Sequence, residues 1–204
     1  MSGFTTADLR TGAARIAAAV AVAADDLNAA DGRLGDGDLG ITVSRGWAEI
    51  AATATMLPDD VGLAFLDCAK AFQRVSSSSF GTLTATAFIA AARACKGRTE
   101  VPWPQVPMLL AAARDAMMVR GKGALGDKTV LDMLDAIVTA TTGLDAPDAL
   151  LAAARSAATA TLDAFRDREN RLGRARMFGE RSRGLDDPGM LALARMIAGL
   201  AAKA

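Results

Sequence analysis

The chain has 204 residues, enough for one sizeable core, and half of them are hydrophobic, with alanine dominant and with seven Phe, two Trp and no Tyr. Basic and acidic residues balance at 23 each, so there is no basic footprint for nucleic acid. The absence of histidine excludes a Ser-His-Asp triad, a His-ligated zinc, an imidazole base and a phosphohistidine, leaving carboxylates, metal ions, Lys, Arg and backbone donors to carry any chemistry.

Alanine loses no side-chain entropy on helix formation, and few β-branched or aromatic runs remain to build strands. The spacing predicts an all-α chain of eight helices, at about 6–28, 40–55, 59–74, 81–96, 105–119, 127–142, 147–169 and 188–202. Within the first, Ile16–Ala24 loosely resembles a secretion signal behind Arg10 and Arg15, but its alanine content and Asp8 favour an amphipathic helix. No apolar run reaches membrane-spanning length, so no membrane partner is expected. Cys68 and Cys95 are far apart and form no metal-ligand spacing; reduced thiols and a cytoplasmic location fit them. With no long linker and no low-complexity tail, residues 1–204 read as a single domain.

Three breaks, 31–40, 120–128 and 173–189, carry more Gly, Asp and Arg than a helix connection of ~2–8 residues needs. The first holds Asp31, Asp36 and Asp38 among Gly32, Gly35, Gly37 and Gly40. Asp36 and Asp38 are two apart and can point to one side of an extended backbone, and Gly32 lets the chain double back to bring Asp31 near. Three converging carboxylates repel one another unless a cation neutralises them, and hard oxygen donors suit magnesium. The helix beginning near Gly40 offers free N–H groups to phosphate oxygens. An EF-hand is excluded, because the twelfth position from Asp36 is Trp47 rather than Glu.

Before the fourth helix, Ser76–Thr82 supplies hydroxyls and Gly81, ordinary both as caps and as phosphate ligands. The segment Arg120–Thr129 resembles a Walker A loop, but Asp127 interrupts the Gly-Lys step and no buried strand precedes it. Lys122 or Lys128 could still give charge to a phosphate. The last break carries Arg174, Arg176, Arg181 and Arg183, whose planar forks suit phosphate, and then Asp187, Pro188 and Gly189, a cap with Pro at the first helical position.

In this order and spacing, the segments resemble the nucleotide-binding L subunit or domain of dihydroxyacetone kinases. The matching parts are Leu27-Asn28 with Asp31, Asp36, Asp38 and Gly40; Arg120–Thr129; and Gly173-Arg174, Gly179–Ser182 and Asp187–Gly189. The resemblance implies an eight-helix antiparallel barrel with ATP or ADP at one end, and two magnesium ions held by Asp31, Asp36 and Asp38. Leu39, Gly40, Ile41, Thr42, Ser79, Phe80, Gly121, Val130, Arg174, Asp187, Pro188 and Gly189 fall where that family contacts nucleotide. Leu39 stands where histidine is usual, Phe80 where a small hydroxyl residue is common, and Val130 where Met is often found.

The implied activity is phosphoryl transfer to dihydroxyacetone or a related small keto-sugar (a glycerone-kinase-type reaction), with Arg174 as a further positive charge. In the kinases it resembles, the sugar is held covalently by a histidine on a separate K subunit or domain, and this chain has no histidine. Two other readings stay open. One is a bound-ADP phosphocarrier rephosphorylated by a phosphotransferase-system protein. The other is a non-catalytic regulatory module that keeps the fold, motivated by Leu39 and Phe80.

Overall fold

Alanine-rich stretches with three- and four-residue apolar spacing fold as nine α-helices among the described residues, which are 3–201 of this computed structural model. They are α1 (Thr6–Val22), α2 (Ala24–Leu34), α3 (Leu39–Thr53), α4 (Val61–Val75), α5 (Ser79–Cys95), α6 (Val106–Gly121), α7 (Val130–Thr141), α8 (Pro147–Arg166) and α9 (Pro188–Ala201). The expected end of the last helix at residue 202 lies outside the described residues. Two three-residue strands, β1 (Gly3–Thr5) and β2 (Glu100–Pro102), pair antiparallel with Phe4 opposite Val101. Their brevity explains why the composition gave no strand signal.

The expected first helix, 6–28, is two helices. Ala23 breaks the ladder at φ −88° and ψ 1°, and α2 then runs on to Leu34. No Gly or Pro marks the break. It coincides with a close approach by α3: a Cβ on Gly40 would overlap the Ala24 carbonyl oxygen. The Asn28 side chain strengthens the same junction, its Oδ1 accepting from Ile41 N at 3.2 Å. Asp31 consequently lies on the last turn of a helix rather than in a loop that doubles back at Gly32.

From α3 onward each helix packs against its successor, α9 packs against α8 and α1, and α1 packs against α3. The largest cluster joins Ile16 and Val20 of α1, Val43 and Trp47 of α3, and Phe72 of α4. A smaller one, Met117, Val130, Leu131 and Leu134, joins the end of α6 to the start of α7. Cys68 and Cys95 are buried free thiols in separate clusters. No described helix is long and apolar enough to cross a membrane.

Candidate functional site

The aspartate segment folds around Asp31. Its Oδ2 accepts from Gly37 N at 2.9 Å and Asp38 N at 3.1 Å, which curls residues 35–38 over the end of α2. Gly37 takes φ +78°, a left-handed conformation that costs a glycine nothing. The turn brings one carboxylate oxygen each from Asp31, Asp36 and Asp38 within 4.8 Å of one another. Asp31 is half-buried, and the other two are exposed. Three hard donors at that separation fit a divalent cation. Arg174 forms an ion pair with Asp36, bringing the loop after α8 to the same cluster.

These residues edge a cavity of about 490 Å³. Four helices begin on it: α3 with Asp38 and Leu39, α5 with Ser78 and Ser79, α7 with Thr129 and Val130, and α9 with Asp187, Pro188 and Gly189. Side-chain capping marks three of these starts, those of α5, α7 and α9. Ser78 Oγ accepts from Gly81 N at 3.0 Å, Thr129 Oγ1 from Leu131 N at 3.2 Å, and Asp187 Oδ2 from Met190 N at 2.9 Å. Asp132 holds the approach to α7, accepting from Thr129 N and Gly126 N. Each helix start carries partial positive charge on N–H groups without intrahelical partners. Four of them around one cavity, with Arg120 and Arg174 on its wall, give a pocket whose charge suits an anion, beside a carboxylate cluster.

Of the residues expected here, Asp31, Asp36, Asp38, Leu39, Ser79, Phe80, Gly121, Val130, Arg174, Asp187, Pro188 and Gly189 line the cavity. Gly40, Ile41 and Thr42 do not. Gly40 packs on α2, Ile41 faces solvent, and Thr42 is buried. Phe80 belongs to both settings, lining the cavity and packing into two clusters. Phe80, Met117 and Val130 also separate this cavity from an almost wholly apolar one of about 560 Å³.

Neither lysine of 120–128 lines the cavity. Lys128 is fully buried and donates to three backbone carbonyls, so its charge is committed elsewhere. Burial lowers its pKa, while Asp187, Asp186 and Asp167 act upward. Arg120, one position before Gly121, is the cation this segment presents. Burial pushes the Asp187 carboxyl up to about 6, against the downward pull of its hydrogen bonds from Met190 N and Asn170. Asn170, whose Nδ2 donates to Asp187 Oδ1 at 2.7 Å, had no signal in the sequence beyond lying in a long connection.

Residues 33–202 match the DAK2 domain. The ADP-binding subunit DhaL of the PEP-dependent dihydroxyacetone kinase of Escherichia coli (strain K12) is 30% identical over 184 residues, covering 86% of each chain. The L-erythrulose kinase of Pectobacterium atrosepticum is 30% identical over 207 residues, covering 94% of this chain and 35% of that enzyme. The crystal structure of the C. freundii dihydroxyacetone kinase in its native form superposes with a TM-score of 0.74 at 25% identity, over 98% of this chain and 35% of that one. The chain thus spans most of the E. coli subunit and about a third of the two larger enzymes.

Proposed function

The chain belongs to the DAK2 domain family, and from that premise we propose that it is the nucleotide- and magnesium-binding subunit of a two-component kinase for dihydroxyacetone or a related small keto-sugar. The observation that carries this reading is the convergence of four helix N-termini on one cavity beside three carboxylates. Asp31, Asp36 and Asp38 would hold magnesium, one or two ions, against the phosphates of ADP or ATP. A cation held by these carboxylates would supply neutralising charge for the transferred group and its leaving oxygen. The starts of α3, α5, α7 and α9 would take phosphate oxygens, with Arg120 and Arg174 adding charge. Phe80, Met117 and Val130 give the cavity an apolar floor suited to a base or ribose.

The acceptor sugar belongs to a K-type partner, because the chain has no histidine with which to trap a ketone covalently. We also read the chain as one domain working in the cytoplasm, and α1 with α3–α9 as an eight-helix antiparallel barrel over which α2 lies as an extra element. The closed order of packing neighbours favours that geometry.

A second reading is a phosphocarrier whose ADP stays bound and is rephosphorylated by a phosphotransferase-system protein. Its similarity to the E. coli relative, an ADP-binding subunit of a PEP-dependent dihydroxyacetone kinase, favours it. One assay tests both. The purified chain with ATP, magnesium and dihydroxyacetone should turn over only when a K-type subunit is added. Label from ATP that exchanges freely during turnover supports the ATP-dependent kinase, whereas retained ADP that never exchanges supports the carrier. Robust turnover by the chain alone would sink the subunit reading.

A further inference from the structure

Lys128 lies one residue from the cavity wall and has no part in the site as described. It is fully buried, and its φ of +59° is a left-handed conformation that a residue with a Cβ rarely adopts. A lysine ammonium has three donors. All three are used, on the carbonyls of Arg166 at 2.9 Å, Arg168 at 2.8 Å and Ser182 at 2.8 Å.

Those carbonyls stand on either side of Arg174. Arg166 ends α8, and Ser182 lies shortly before α9. The backbone around Lys128 ties down the same connection. The Lys128 carbonyl accepts from Asn170 Nδ2 at 2.8 Å, and that amide also donates to Asp187. The neighbouring Asp127 carbonyl accepts from Arg171 N at 2.9 Å. Asn170 N donates to Ser182 Oγ at 3.0 Å, closing the network. Three carbonyls converging on one buried point are stable only around a donor, and an apolar side chain there would leave them unsatisfied.

We propose that Lys128 is a positioning residue for phosphoryl transfer: its buried ammonium gathers both ends of the 167–187 connection and so sets Arg174 and the Asp187–Gly189 helix start against the nucleotide phosphates. This rests on the nucleotide reading given above. A purely structural lysine would affect stability alone, or would weaken binding independently of Arg174. A positioning lysine makes the worth of Arg174 depend on it.

The test is a double-mutant cycle on the full chain, with Mg-ADP affinity read by calorimetry and folding by circular dichroism and thermal melts. Arg174→Ala should weaken binding about tenfold, the loss of roughly one charge-assisted contact. Lys128→Met should melt earlier, remain helical and weaken binding by about tenfold or more, and adding Arg174→Ala to it should cost less than about twofold further. Wild-type affinity in Lys128→Met, or the same Arg174→Ala factor in both backgrounds, overturns the proposal. If Lys128→Met does not fold, Asn170→Ala, which removes the link from Lys128 to Asp187, takes its place in the same cycle under the same criteria. Failure of the wild type to bind Mg-ADP brings down the nucleotide reading and this inference together. Wild-type binding with an additive cycle brings down this inference alone.

Discussion

Asp187 and Lys128 are two of the charges the fold has taken from water at the site, and each is held by named partners. For Asp187, desolvation wins over its hydrogen bonds and raises the carboxyl to about 6. An aspartate in the unfolded chain titrates near ~3.9. The folded state therefore holds this proton more tightly than the unfolded state. Asp187 favours folding fully below about pH 4, and this contribution is lost as the pH rises through about 6. Urea unfolding of the wild type and Asp187→Asn at about pH 4.5 and about pH 7 should show the wild type losing on the order of 1–3 kcal/mol relative to the variant at the higher pH. A difference that is the same at both pH values contradicts the assignment. Charge type alone misassigns this neighbourhood. Lys128 reads as a phosphate ligand because it follows a glycine-rich turn, but three backbone carbonyls from a segment some forty residues away or more claim its protons. The sequence holds no local sign of such a long-range contact.

At the scale of the elements, the helices and their breaks were legible because alanine, Gly, Pro and capping residues act locally. Asp60, Ser78, Thr129 and Asp187 each cap a helix through their side chains, near the starts that composition suggests. The break between α1 and α2 was not legible, because Ala23 and Ala24 both favour helix and the interruption comes with the packing of α3. Gly40 illustrates the difference. In the sequence it belongs to a glycine-rich metal turn; in the fold it is the point where α3 touches the Ala24 carbonyl. Gly40→Ala should force these helices apart and cost about 1–3 kcal/mol, read as a lower midpoint in denaturant. A midpoint equal to wild type would show that the α2–α3 contact is slack.

For the whole molecule, the site is a product of chain direction. Helices α3, α5, α7 and α9 all begin on one cavity, so four partial positive charges meet there, with the aspartate turn and Arg174 at its edge. The aspartate cluster was visible in the spacing of Asp31, Asp36 and Asp38, since its geometry is nearly local. The convergence of the four starts was not, since it depends on which ends of which helices the packing brings together. On the function proposed above, this end of the molecule binds a nucleotide through a carboxylate-held metal. Calorimetric titration with ADP tests it most directly, using wild type and the Asp36→Asn/Asp38→Asn variant, each with magnesium and with EDTA. The account predicts saturable binding by the wild type with magnesium, weakened by about tenfold or more in EDTA and in the variant. No binding at millimolar ADP, or an affinity indifferent to both EDTA and the substitutions, would contradict it.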